Sequence, residues 1–383
     1  MKAGELPKAE LDRIFEEDLL PRLHAKYSFA PSHDPTFVVL GGQPGAGKSR
    51  VQAEAFADLR AKGPTLVIEG DAYRQYHPGY TGFVKDDVQT MPDKTAQAAG
   101  YWTGRLLEVA QAVGCNVVLE STMRQPELIR ATCEGFADAG YRVEARVICT
   151  KREFSEVGIH LRYEAQKSLM EAARFAPTEA HDAAYLGFPQ TVALLQSGGC
   201  VDAIHLYTRD RLLAYFDGHG RMLEGPEFYQ GKVTARDVID GERARSLQAE
   251  ELTRLREQWE NVKSCQQARD APVGEQQRME EKADSALRRV LLDPQAQSLY
   301  LETRPHWEVP SAGALAGMLV EEVEYARSLF LDRGVDRDEV RGIIHAVTSG
   351  KALDMDIDRF LSSPAVPVSH ITQRVKPAQK VSR

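Results

Sequence analysis

The sequence predicts an α/β protein: a three-layer core with a mostly parallel sheet, followed by an α-helical C-terminal extension. Between residues 36 and 216, short β-branched runs alternate with longer amphipathic segments, the order expected of βαβ units. Those runs are near-continuously apolar, as in strands covered by helices on both faces, and lack the alternation of a sheet with one wet face. After Gly218 the apolar residues recur at helical spacing instead.

Each element has its own signal. Leu11, Ile14, Leu19, Leu20 and Leu23 are spaced for an N-terminal helix lying on the core, ended by the breaker-rich stretch 29–35. Strands are expected at 36–40, 65–68, 116–119, 143–148 and 204–207. Strand-like runs then stop. Leu247, Leu252, Leu255, Trp259 and Val262 trace one helix, and after a break at 272–274, Met279, Ala283, Ala286, Leu287 and Val290 trace another. Two more helices are expected over 312–331 and 336–347, with Gly334 placed to stop the first in a left-handed cap. The proline-bearing tail from Ser362 reads as disordered. The division that follows is a core over 1–217, a helical region over 218–361 and a tail over 362–383.

Composition narrows the function. The 383 residues carry a net charge of -8, which weighs against gripping duplex phosphate but leaves room for a small anionic ligand. The 5 cysteines show no CxxC spacing and read as reduced thiols, neither a disulfide framework nor a zinc cage. Acidic residues interrupt the first twenty positions where a secretory signal needs an apolar core, and no stretch approaches the roughly 20 apolar residues that span a bilayer. The expectation is a cytoplasmic protein without a membrane partner.

The first strand runs directly into Gly42, Gln43, Pro44, Gly45, Ala46, Gly47, Lys48 and Ser49, which match GxxxxGK[ST] at every fixed position. Glycines let consecutive N–H groups turn inward, and the helix that begins after them, with Arg50 in its first turn, adds its positive end to the same point. That geometry holds a triphosphate. Lys48 is expected on the β- and γ-phosphate oxygens of ATP and the Ser49 hydroxyl on Mg²⁺. The Lys-Ser pair has no role in a dinucleotide fingerprint.

The second strand ends in Val-Ile-Glu-Gly-Asp71, which puts a carboxylate where parallel sheets bind ligands, and Asp71 is the candidate general base; the other reading makes it a helix cap. The third strand ends in Glu120-Ser121-Thr122-Met123-Arg124, polar groups suited to a polyhydroxylated, phosphate-bearing substrate, or to ordinary turn chemistry. Arg162 and Arg174 lie in a helical excursion before the last strand. Guanidinium groups stabilise the charge of a transferring phosphoryl group, although a lone helical arginine is ordinarily a solvated surface charge.

Taken in order, GGQPGAGKS, GDAYRQYHP, VVLESTMR, RYE and ARFAPTEAHD resemble the zeta-toxin family of toxin–antitoxin kinases, over residues 8–217. The resemblance implies a P-loop kinase core, and ATP-dependent phosphorylation of the 3′-hydroxyl of UDP-N-acetylglucosamine. By it, Lys48 and Ser49 match the nucleotide and magnesium loop, Asp71 the base, Glu120, Thr122 and Arg124 the substrate motif, and Arg162 and Arg174 the arginines on the transferring phosphate. It also implies a nucleotide-linked small molecule and an antitoxin protein as partners. Ser121 stands where the family motif has glycine. Gly104 stands where relatives carry a substrate-contacting glutamate, with Glu108 one helical turn on. NAD or another nucleotide as acceptor, or a nucleotide-binding scaffold acting through its helical region, are the alternative readings.

Overall fold

A computed structural model describes residues 4–86, 88, 90–169, 173, 175–226 and 233–290. The helices expected over 312–331 and 336–347, the tail and Arg174 lie outside the described residues.

The strands are β1 (Thr36–Gly41), β2 (Thr65–Glu69), β3 (Asn116–Glu120), β4 (Arg142–Ile148), β5 (Ala203–Tyr207), β6 (Leu212–Asp217) and β7 (Met222–Glu224). They form one sheet in the order β2-β3-β1-β4-β5-β6-β7, parallel from β2 to β5 and antiparallel at the β6 and β7 edge. All five strands expected from the sequence are present. Two were not expected, and one of them lies beyond Gly218, where strands were expected to have ended. A turn at Thr208 returns the chain as β6, and Asp217, whose carboxylate accepts the N–H groups of His219 and Arg221, turns it again into β7. β7 is the edge strand and β6 lies between it and β5, and both have mixed burial.

The helices are α1 (Lys8–Ile14), α2 (Leu20–Lys26), α3 (Lys48–Arg60), α4 (Gly70–Tyr73), α5 (Tyr80–Asp86), α6 (Met91–Lys94), α7 (Ala96–Val113), α8 (Pro126–Asp138), α9 (Arg152–Leu169), α10 (Thr178–Gly198), α11 (Ala235–Ala244), α12 (Ala249–Ala268) and α13 (Val273–Val290). A π-helical turn, Phe15–Leu19, joins α1 to α2. Pro21 explains it: without an N–H, proline cannot close the α-helical bond to the Glu17 carbonyl.

On one face of the sheet, Val51, Ala55 and Leu59 of α3 pack on Val38, Leu40, Val67 and Val118. The larger core lies on the other face, where Trp102 of α7, Ile129 and Phe136 of α8, Phe188 of α10 and Val238 of α11 meet the sheet, with Phe37 and Phe136 stacked 4.0 Å apart. The N-terminal helical run joins this core through the buried indole N–H of Trp102, which donates to the Leu11 carbonyl at 2.9 Å. Buried Asn116 ties three elements, accepting from Thr36 N at 2.9 Å and donating to Leu59 O at 3.3 Å.

Contacts divide the chain into two compact units, one of 1–245 with 260–270, the other beginning at 246–259 and resuming at Ala271. The first holds the whole sheet. In the second, the predicted helical stripes are inward: Leu247, Leu252, Leu255 and Trp259, and Met279, Ala283, Ala286 and Val290, are buried. All five cysteines are free thiols, with Cys265 exposed and the other four buried. Among the described residues no helix is long and apolar enough to cross a membrane.

Beyond α3 the sheet carries a buried charged cluster. Arg146 joins Asp58 at 2.9 Å and Glu144 at 3.2 Å, Arg142 donates to Glu144 at 3.0 Å, and His205 stands 3.9 Å from Glu144. Burial holds the His205 pKa below the ordinary histidine value. Burial opposes ionisation of Glu144 too, yet Arg142 and Arg146 prevail and hold its carboxyl below the usual range. Both groups therefore bind protons more readily in the unfolded chain.

Two outcomes follow. Trp102→Ala removes the largest fully buried side chain among the described residues and strands the Leu11 carbonyl, and should cost about 3–5 kcal/mol of unfolding free energy in urea titration. The stability contributed by His205 is fully present above the ordinary histidine pKa of about 6.5 and is lost as pH falls from there through its lower folded-state value, with Glu144 adding a loss at lower pH. The urea midpoint should drop on acidification from neutrality, and His205→Gln should flatten that drop.

Candidate active site

The loop after β1 is shaped by glycine. Gly45 and Gly47 have φ of 75° and 95°, left-handed values that side chains resist, and Gly47 is also the residue from which α3 starts. The free N–H groups of the first turn of α3 therefore open into the loop. A Cβ on Gly45 would lie 2.0 Å from the Ser155 carbonyl, so the bare backbone is what lets α9 press on the loop.

Lys48 folds back over this cradle. Its ammonium donates to the carbonyls of Gly42 at 3.0 Å and Gln43 at 3.3 Å and meets Glu120 at 3.5 Å, while its side chain is 9% exposed. Burial lowers its pKa; Glu120 and Asp71 act against that lowering, and Arg162 adds to it. Four of the residues singled out from the sequence are thus brought within electrostatic reach of one another. Ser49, beside Lys48 in the first turn of α3, is exposed.

A second set of residues braces the loop from behind. Gln43, fully buried, donates to Thr150 O at 2.7 Å and to Ser155 Oγ at 3.1 Å, and the Thr150 hydroxyl donates to Ala46 O at 2.8 Å. Ser155 Oγ lies 2.8 Å from His181 Nε2, His181 Nδ1 lies 2.9 Å from Asp182, and Arg152 holds Asp182 at 3.0 Å. The Ser-His-Asp order resembles a nucleophile relay, but Ser155 is fully buried, so it serves as a brace. Arg209 completes it, donating to Gly45 O and Phe154 O, both at 2.6 Å. Sequence reasoning missed Thr150, Ser155, His181, Asp182 and Arg209, which are scattered along the chain and converge only in the fold. The side chain of Arg50, in the first turn of α3, donates to the carbonyls of Arg209 at 3.0 Å and Thr208 at 3.3 Å.

The neighbouring strand ends supply the acceptor side. Asp71 falls in the first turn of α4, whose cap position is Glu69 and has no side-chain cap bond, so Asp71 is not a helix cap. Its side chain is 72% exposed and oriented by Arg74 at 2.8 Å, which is fixed in turn by Pro92 O at 2.6 Å and Thr95 Oγ1 at 2.8 Å. Glu69, also missed from the sequence, pairs in register with Glu120 and accepts from Gln52 of α3.

After Glu120 the chain is held by local bonds. Ser121 N donates to Leu40 O at 3.0 Å and its hydroxyl accepts from Met123 N at 2.9 Å. That turn puts buried Met123 at φ 50°, a strained value for methionine, and Thr191 of α10 anchors its carbonyl. Thr122 is half-buried and Arg124 exposed. On α7, a side chain at Gly104 would meet open space, while Glu108 is turned to Arg105 at 3.6 Å.

The chain is 28% identical over 188 residues to toxin PezT of Streptococcus pneumoniae, covering 48% of this chain and 72% of PezT. It is 26% identical over 249 residues to toxin zeta of Enterococcus hirae, covering 64% of this chain and 83% of that protein. The fold is similar to a solved structure from the PezAT chromosomal toxin–antitoxin system of S. pneumoniae, with a TM-score of 0.53 and 21% identity over 68% of this chain and 98% of that one. The Zeta toxin family profile matches residues 22–219, more than half of the chain and all of the loop, strand ends and α9 described above, and the chain belongs to the zeta-toxin family.

Proposed function

We propose that the chain is an ATP-dependent phosphotransferase that moves the γ-phosphoryl group to a hydroxyl of a nucleotide-linked substrate. The observation that carries this is Lys48, buried over a glycine cradle, with Asp71 and Glu120 acting on it from the two adjacent strand ends and Arg162 from α9. A binding module needs the cradle alone. An exposed, arginine-oriented carboxylate beside the cradle is what transfer requires in addition.

In this reading the N–H groups of residues 45–49 and the Lys48 ammonium hold the terminal phosphates, and Glu120, Thr122 and Arg124 hold the acceptor. Asp71 takes the proton of the acceptor hydroxyl as its oxygen bonds to the γ-phosphorus. The bond to the bridging oxygen breaks, and ADP carries the electron pair away. Arg162, together with Arg174 by its place in the family motif, stabilises the charge on the moving group. Oxygen donors suit Mg²⁺, which binds through one or two protein oxygens and the nucleotide's own phosphates; exposed Ser49 is the protein oxygen at the cradle. When bound, the ion neutralises phosphate charge.

The family supports UDP-N-acetylglucosamine as acceptor, phosphorylated at its 3′-hydroxyl. The open space at Gly104 favours a second reading, in which NAD or another nucleotide takes that place. The kinase unit is assigned to 1–217. An antitoxin partner is supported by the toxin relatives and by the toxin–antitoxin system to which the similar solved structure belongs.

Labelled ATP offered with UDP-sugars, NAD and oligonucleotides in parallel should phosphorylate one of the first two classes. Asp71→Asn should keep ATP affinity within about twofold while kcat falls by about 100-fold or more, the scale of a lost general base; equal turnover would remove Asp71 from the mechanism. Lys48→Met should abolish measurable ATP binding in calorimetry. Because Lys48 is a buried charge held for function, the same variant should leave the thermal midpoint of the free protein unchanged or raised.

A further inference from the structure

Arg162 stands between two fixed points on α9. On its N-terminal side, Gly158 presses on the loop so closely that a Cβ there would lie 2.4 Å from Gly45 O. On its C-terminal side is Glu164, whose carboxylate is 2% exposed. Residues two apart on a helix project about 200° apart, so Glu164 faces inward where Arg162 faces out.

Both oxygens of Glu164 are occupied from beyond the family-matched segment. Arg269 donates Nε to Oε2 at 2.7 Å and Nη2 to Oε1 at 3.1 Å, a two-pronged fork, and buried Gln266 adds Nε2 to Oε1 at 3.2 Å. Arg269 itself is placed where α12 stops. Its N–H still bonds to Cys265 O, and Asp270 follows in the left-handed region at φ 51°. Segment 260–270 groups with the sheet-bearing unit in the division of the chain.

A buried ion pair is a poor source of stability, since apolar groups of the same volume usually do as well or better. Its advantage is directional. We infer that Arg269 and Gln266 are positioning residues: by gripping Glu164 they set the roll of α9 and so aim Arg162 at the terminal phosphate. This rests on the role given to Arg162 above. On this view the end of α12 is a working part of the nucleotide site, supplied by the region that follows the family-matched segment.

The test compares ATP with ADP binding by calorimetry, which needs no acceptor. Arg162→Ala should reduce the preference for ATP over ADP about tenfold, the scale of one charge-assisted hydrogen bond. R269M should lower it to a similar degree, R269K should recover part of it, and R162A/R269M should be no worse than R162A alone. Hydrogen exchange of the α9 amides should quicken in R269M and not in R162A. Selectivity like the parent in R269M, losses that multiply in the double variant, or an R162A variant with full selectivity would each overturn the inference. If R269M does not fold, Gln266→Leu against the parent decides in its place: unchanged selectivity and unchanged α9 exchange overturn it. Failure of the phosphotransferase reading would appear elsewhere, as a parent protein that phosphorylates nothing on the acceptor panel while these binding ratios still behave as stated.

Discussion

A positive charge held out of water over a loop of bare backbone is the constraint to which the rest of the structure answers. Lys48 can be buried because carbonyls of the loop and Glu120 receive its protons, and the loop can pass beneath it because glycines permit its left-handed turns. Such a charge is costly in the absence of phosphate, and the lowered pKa records that cost. The surrounding brace keeps the loop from relaxing. Thr150 and Arg209 bind its carbonyls, Gln43 of the loop donates to Thr150 O, and the line from Ser155 through His181 to Asp182 and Arg152 ties α10 to the start of α9. The site is pre-shaped, so little ordering is left to be done when a nucleotide arrives.

How much of this was legible in the sequence depends on the range of the interaction. The five parallel strands and two of the three described helices beyond Gly218, α12 and α13 but not α11, were readable, because burial on two faces or along one stripe leaves a local pattern of apolar residues. β6 and β7 were not, since their burial is mixed and their pairing is decided by the turns at Thr208 and Asp217. In the site, the loop was plain because all its chemistry lies in eight consecutive residues. Asp71 and Glu120 came from their places at strand ends and Arg162 from motif order, and the fold gathers them about Lys48.

What escaped reading were partners brought together over long separations. Nothing near Ser155 announces His181, nothing near Glu164 announces Arg269, and Glu69 gives no sign in its own sequence that it stands beside Glu120. Arg50 shows the converse. Its position in the motif points to the nucleotide, and the hairpin between β5 and β6 brings two carbonyls within its reach. A local rule gives the residue's address, and its neighbours across the fold decide its task.

The facing pair Gly45 and Gly158 limits how this protein can drift. A side chain on Gly158 would run into the Gly45 carbonyl, one on Gly45 would run into Ser155 and Ile159 of the same helix, and Gly45 is held besides in a backbone shape that other residues resist. No single replacement at either position can be rescued by enlarging its counterpart, which is the usual route by which packed neighbours exchange volume over generations. Two codons far apart in the gene are thereby locked together, and a lineage that loses one glycine must rebuild the seam between helix and loop before it regains a working site.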